Sequence, residues 1–250
     1  MAHLSRNQDQ FGRVRVHRWD PGKGILDPVV LEGTDVIVHL AGEIIGRGRW
    51  TAARKKEIMK SRVDSALLLH NSIKTHNIPL KAFISASGAG FYGQDTTETI
   101  FTETDPPGQG FLAEVCRRWE EAAAAFERSG IRTVKIRTAV VLEKSDAAMK
   151  RLLMPSRAGF LVRIGKGEQY MPWIHVADLS RIYLKAIADQ EMSGTYNAVS
   201  PQHVTHGEFM TALAAATGKY LLPVPVPPLM LKMAFGEMSG VVLRGSRISS

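Results

Sequence analysis

Short runs of β-forming apolar residues alternate with long amphipathic stretches, and this alternation restricts the chain more than any other feature. DVIVHLAG (35–42), KAFISAS (81–87) and TVKIRTAVVL (133–142) each read as a buried strand. Between the first two, in 51–76, Ile58, Val63, Ala66, Leu67, Leu68 and Ile73 recur at helical spacing. Between the second and third, 111–128 is alanine-rich and helical, with Gly130 placed to stop it. Strands separated by helices of this length cannot pair as hairpins. They pair in parallel through right-handed crossovers and are covered on both faces. The expected fold is therefore α/β, a doubly wound, Rossmann-like parallel sheet. Further along, the pattern predicts a helix over 146–156, a short strand over 169–174, a helix over 176–189, a strand over 195–199 and a helix over 207–217 ending at Gly218. PVPVPP (223–228) reads as a proline-punctuated connector that cannot be a central strand.

A chain of 250 residues is ample for one well-buried core, and 44% hydrophobic with 22% charged residues is ordinary globular composition. No apolar run approaches the ~18 residues of a membrane span, and MAHLSRNQDQ carries no apolar signal segment. A lone cysteine, Cys116, excludes an intrachain disulfide and fits a reducing cytoplasm, the expected location. The net charge is +8, but the basic residues are scattered apart from Arg13, Arg15 and Arg18 and the stretch 47–56. No basic platform interleaved with aromatics is present, so neither nucleic acid nor membrane is an expected partner.

In open parallel sheets, ligands sit outside the carboxyl ends of the strands, where the strand order switches. The residues at those ends are Ser5 and Arg6, then Ala41, Gly42 and Glu43, then Ser85, Ala86, Ser87 and Gly88, then Thr138, Ala139 and Val140. All but a few are small or polar. Any one such turn is accounted for by caps and turn formers. Four in succession point to a cleft in which a flat ligand approaches the backbone closely.

DVIVHLAGE, GRW (48–50), KSRVDS (60–65), ISASGAGFYG (84–93), FLAEVCRRWE (111–120), KIRTAVVL and GKGEQYMPWIHVADL (165–179) occur in that order. Together they resemble the atypical, extended-like short-chain dehydrogenase/reductases of the YfcH-type NAD(P)-dependent epimerase family, over nearly the whole chain. The resemblance implies a Rossmann domain over 1–160. It implies substrate-lobe segments over 161–250, small and C-terminal, with about 169–200 returning to the Rossmann sheet. It implies NADP as cofactor, with NAD the other option, and a small-molecule substrate. Arg6 then falls beside the adenosine ribose, where an arginine rather than a carboxylate favours the 2′-phosphate of NADP. Ser5, Leu40, Ala41, Gly42, Glu43 and Arg62 are the further expected contacts on that side. Ser85, Ala86, Thr138, Ala139 and Val140 are those toward the nicotinamide.

Two departures from the family pattern matter. Such proteins begin with a strand and a GGTGFIG-type turn whose N–H groups and helix dipole hold the pyrophosphate. This chain starts about where that unit ends, so a sheet with two open strand edges, an unfilled core slot and weak or absent dinucleotide binding is expected. Second, the Tyr-x-x-x-Lys positions of the hydride-transferring members are occupied by Leu112 and Cys116, neither of which supplies a proton and a fixed cation.

Ser87 matches the strand-end serine that bonds substrate, and Tyr92 and Cys116 complete the catalytic candidates. Glu114 and His175 are alternatives. Cys116 is a thiolate candidate if Arg117 and Arg118 act on it, and otherwise a small buried hydrophobe. His175 more simply caps the helix that follows it. Gln169 and Trp173 are the expected substrate contacts. Met171 stands where nucleotide-sugar epimerases carry a diphosphate-clamping arginine, which counts against a nucleotide-sugar substrate. His203 and His206 are spaced H-x-x-H without a matching ligand set, so no metal is expected. The function so implied is that of an NAD(P)-binding epimerase or oxidoreductase-like protein, with a nucleotide sugar one substrate candidate. The alternative is a non-catalytic dinucleotide-binding or interaction protein. The sequence does not specify an oligomeric state.

Overall fold

The structure, a computed structural model, describes residues 1–6, 14–93, 98–144, 147–218 and 222–250. Arg13 of the basic cluster and Asp146, the expected first residue of a helix, lie outside the described residues. Four elements come first: β1 (Ala2–Ser5), β2 (Arg15–Asp20), β3 (Ile25–Leu26) and β4 (Val36–His39). The next are α1 (Ala52–Thr75), β5 (Ala82–Gly88), β6 (Ile100–Phe101), α2 (Phe111–Arg128), β7 (Arg132–Thr138) and β8 (Val140–Leu142). Then follow α3 (Ala147–Arg157), β9 (Phe160–Ile164), β10 (Trp173–His175), α4 (Val176–Ala188) and β11 (Gly194–Ala198). The chain closes with α5 (His206–Ala216), β12 (Leu222–Val226), α6 (Pro228–Phe235), α7 (Gly240–Leu243) and β13 (Arg247–Ile248).

The central sheet is parallel throughout, in the order β11-β7-β5-β4. A second sheet, β1-β2-β3, is parallel at its β1 edge and antiparallel at β3. Among the described residues no ladder joins β1 to β4.

Thr51 caps α1 by accepting from the Arg54 N–H at 3.2 Å. The buried face of α1 runs through Ile58, Ala66, Leu69 and Ile73. Leu67, assigned to that face by spacing, is 37% exposed, and Leu69 takes the core position instead. On α2, Val115, Trp119, Ala122, Ala123 and Phe126 turn inward at three- and four-residue intervals. Phe126 stacks on Phe83 of β5 with ring centres 3.6 Å apart, and both rings are fully buried. Each contributes about 1.5–3 kcal/mol through burial. The opposite face of the sheet packs Ile84, Val134 and Ile136 against Ile182 and Ala186 of α4.

Three expectations are corrected. The run 133–142 is two strands, because the Ala139 N–H bonds to the Ala198 carbonyl while the Val140 N–H bonds to the Pro172 carbonyl. The chain therefore leaves the central sheet at Thr138 and pairs β8 with β10. The strand expected over 169–174 is confined to β10, and Tyr170 makes only an isolated bridge to Thr205. PVPVPP is not a mere connector: its first part lies in β12, paired in parallel with β9 alone. Pro223 and Pro225 are two residues apart, so their hydrogen-less nitrogens turn to the same, unpaired side.

Candidate functional site

The parallel registers set the strand tips on one rim. His39 is level with Ser85, Ser87 with Arg137, and Thr138 with Ala198. Arg6, the residue after β1, meets Glu43, beyond β4, at 2.5 Å, which brings the carboxyl end of β1 to the same rim. Arg54 also approaches Glu43, at 3.5 Å. The hydrogen bond from Arg6, helped by both cations, holds the Glu43 carboxyl below the usual carboxylate range.

The pleat divides the expected ligand contacts into two sets. Leu40 and Val140 are exposed, and Ala41, Ala86 and Thr138 are half-buried. Ser85, Ser87 and Ala139 turn into the protein and are buried. The Ser85 hydroxyl donates to the Ala86 carbonyl at 2.9 Å.

Arg62 lies beneath the tip of β4 rather than on the rim. Its guanidinium donates to the Glu43 and Ile58 carbonyls, both at 3.0 Å, and sits 5.0 Å from the Trp119 ring centre. Burial lowers its pKa, and its Nε is buried without a partner. A Cβ at Gly42 would come 2.8 Å from the Arg62 Cζ, so a side chain there would displace the guanidinium from beneath the chain. Just below, His39 is 2% exposed. It accepts at Nδ1 from the Trp119 indole at 3.3 Å, and its Nε2 lies 2.7 Å from the Ser65 hydroxyl. Burial, then Arg62, lowers its pKa to about 4, so the ring is neutral near pH 7.

The three catalytic candidates, Ser87, Tyr92 and Cys116, are brought together around an ion pair that sequence reasoning missed. Arg137 grips Glu120 with two bonds of 2.9 Å. Ser87 Oγ donates to Glu120 at 2.7 Å. Arg137 donates to the Tyr92 hydroxyl at 2.9 Å and lies 3.4 Å from the Phe91 ring centre. Tyr92 in turn donates to Asn197 Oδ1 at 2.7 Å. Burial raises the Tyr92 pKa against the pull of Arg137. The one available signal was Arg137 on an inward-facing position of a strand covered on both faces, which demands a buried partner, and Glu120 supplies it.

Cys116 faces Gly88, where an added Cβ would come 3.3 Å from its sulfur. Burial, then Glu120, pushes its pKa up to about 12, so it is a neutral, packed thiol. Arg117 and Arg118 do not act on it, because both turn outward to Glu114 and Glu121. The bond from Arg118, seconded by Arg117, lowers the Glu114 pKa. His175 caps α4 by accepting from the Ala177 N–H at 3.2 Å. Leu112 packs over Gly90, whose added Cβ would come 3.1 Å from it. Gln169 is buried and donates to the Val242 carbonyl at 3.0 Å, while Trp173 is half-buried in β10. His206 is buried and His203 is not. Among the described residues no group of three or more metal-ligating side chains exists. No helix there is long and apolar enough to cross a membrane.

Residues 20–199 match the family described as NAD dependent epimerase/dehydratase. The chain belongs to that family. Within it, the epimerase family protein Mb2239 of Mycobacterium bovis is 35% identical over 221 residues, 88% of this chain and 72% of the relative. The crystal structure of human epimerase family protein SDR39U1 (isoform2) with NADPH has a TM-score of 0.84 at 29% identity, covering 99% of this chain and 82% of the other. That of the nucleoside-diphosphate sugar epimerase from Corynebacterium glutamicum has a TM-score of 0.75 at 32% identity, covering 99% of this chain and 47% of the other. The chain is thus an atypical extended short-chain dehydrogenase/reductase with a Rossmann-like fold, and an epimerase-family protein of the SDR39U1 type.

Proposed function

We propose that this epimerase-family chain binds NADP along the rim of strand tips and, with the residues described, does not itself turn over substrate. Arg6 is 65% exposed by side chain at the end of β1 and is a fixed cation suited to a 2′-phosphate. Gly42 and Ala86 leave the rim low enough for a flat group to approach. Among the described residues no glycine turn opens a helix between β1 and β4, so the weak binding proposed for these residues rests on the rim without an N–H cradle for the pyrophosphate. When bound, the nicotinamide supplies hydride chemistry, and this chain's residues position it. Thr138 and Val140 would hold it at the rim and Trp173 would face the substrate, with Gln169, bonded to the Val242 carbonyl, acting as a positioning residue behind it.

The observation that carries the non-catalytic reading is the state of the candidate acid/base groups. Cys116 and Tyr92 are buried with raised pKa values, and the Ser87 hydroxyl is committed to Glu120. A proton relay needs a group poised near the working pH and within reach of substrate. Calorimetric titration with NADP and NAD, paired with stopped-flow absorbance of NADPH against a panel of aldehydes, ketones and nucleotide sugars, tests both halves. Weak binding that prefers NADP, with no NADPH consumption, is expected. A low-micromolar dissociation constant overturns the weak-binding half, and steady NADPH oxidation, or a sugar epimer formed without net NADPH consumption, overturns the non-catalytic half.

A further inference from the structure

We propose that Arg62 supplies from α1 the fixed positive charge that position 116 lacks on α2. This corner of the site then keeps the electrostatics that ionise an acid, although the acid itself is gone. In the Tyr-x-x-x-Lys pattern the cation lies one helical turn beyond the tyrosine, and here Leu112 and Cys116 hold those places. Their side chains flank Gly90: a Cβ added there would come 3.1 Å from Leu112 and 3.9 Å from the Cys116 sulfur. Arg62 reaches the same corner from the neighbouring helix. Its guanidinium donates to the Ile58 carbonyl, and Ile58 packs in one cluster with Leu112 and Val115. Gly42 passes over the guanidinium, and the Trp119 ring closes its face. Its charge acts on the Cys116 sulfur in favour of the thiolate, against the larger effects of burial and Glu120.

The Arg62 charge is not cancelled by its own contacts. The side chain is buried, and its described partners are neutral: the Ile58 and Glu43 carbonyls and the Ser61 hydroxyl at 3.3 Å. Among the described residues the other charges facing this corner have counter-charges of their own. Glu120 is held by Arg137, and Glu114 by Arg117 and Arg118. Lys55, 5.1 Å from the Phe111 ring centre, is held by Glu237. Glu43 and Glu57 share Arg6 and Arg54, and His39 is neutral near pH 7. One uncancelled cation therefore remains beside positions 112 and 116, as a lysine at 116 would leave. Packing alone does not call for it, since an apolar side chain of similar length fills the space without the cost of burying a charge. Across about 8 Å at an effective dielectric of about 20, one charge shifts a neighbour's ionisation by about tenfold or more. This holds whether or not NADP binds the rim.

The probe is a phenol introduced by Leu112→Tyr in the full chain, its ionisation followed by 13Cζ-tyrosine NMR without any ligand. Adding Arg62→Met is expected to make that phenol about tenfold or more harder to ionise, a rise of about one pH unit or more. Adding Arg62→Lys instead, which keeps the charge but not the guanidinium, is expected to leave the phenol close to its titration in Leu112→Tyr alone. Arg62→Gln, neutral but still a hydrogen-bond donor, takes the place of Arg62→Met if the methionine variant does not fold. Urea midpoints and the signals of the native tyrosines report folding in each case. A phenol that titrates alike with the arginine and with its neutral replacement overturns the proposal. So does a rise that also appears with Arg62→Lys in a folded protein, because the residue would then act through packing and not through its charge.

Discussion

The Arg6 guanidinium and the Glu43 carboxylate meet at 2.5 Å across the rim, joining the end of β1 to the loop after β4 without any ladder between the two strands. The cation expected to meet a 2′-phosphate is therefore already neutralised by a carboxylate within the protein. An exposed pair of this kind contributes about 0.2–1 kcal/mol, and a phosphate must displace it to reach Arg6. Glu43→Gln is expected to tighten NADP binding by up to about fivefold and to leave NAD binding nearly unchanged. Calorimetry with both nucleotides measures the ratio. Equal gains for the two would mean that Arg6 does not contact the extra phosphate.

His39 makes stability depend on pH in a defined window. Its pKa is near 6.5 in the unfolded chain and about 4 in the folded protein, so between these values the unfolded state binds more protons. Stability is complete above pH 6.5 and falls as pH drops toward 4, by about 3 kcal/mol in total. Urea denaturation at intervals from pH 7.5 to 4 is expected to show this loss in the native sequence. His39→Gln, which keeps hydrogen-bonding groups without titrating, should show a shallower decline. Parallel curves for the two proteins would remove His39 as the cause.

The Glu120–Arg137 pair is a buried fork, and breaking one side strands a charge. Glu120→Ala and Arg137→Ala are each expected to cost about 3–5 kcal/mol in denaturant midpoint experiments. Glu120→Leu combined with Arg137→Met removes both charges and should cost distinctly less than the sum of the single changes. Additive losses would show that the two residues do not act as a pair.

Cys116 is 6% exposed, with its thiol neutral up to a pKa of about 12. Ellman's reagent at pH 8 is expected to label the folded protein only at the rate of unfolding and to label the urea-denatured chain at once. Cys116→Ala should leave NADP binding unchanged and cost about 1–2 kcal/mol. Rapid labelling of the native protein would place the thiol in the cleft.

Gly108 carries no side chain because the Tyr92 carbonyl occupies the space. An added Cβ would lie 2.2 Å from that oxygen, and backbone cannot give way as a flexible side chain can. Gly108→Ala is expected to cost about 2 kcal/mol or more and to loosen Tyr92 from Asn197. Thermal unfolding with near-ultraviolet circular dichroism reports both effects. An unchanged midpoint would mean that this loop moves freely.

Local periodicity determined the elements of this protein. Strands and helices declare themselves through spacings of two and of three to four residues, which is why α1, α2 and the apolar runs of β4, β5 and β7 are legible without coordinates. The same local signal failed where neighbours decide. Leu67 and Leu69 are equally apolar, but only the packing partner of α1 selects Leu69 for the core. Nothing in TVKIRTAVVL marks Ala139 as the place where one ladder ends and another begins, because that depends on Ala198 and Pro172, far along the chain. Tertiary structure also decided what the site residues touch. It turned Ser87 toward Glu120, set Arg62 beneath Gly42 and closed Arg6 onto Glu43. The physical reason is the same in each case: propensity acts between neighbours in sequence, whereas pairing of charges and edges acts between neighbours in space.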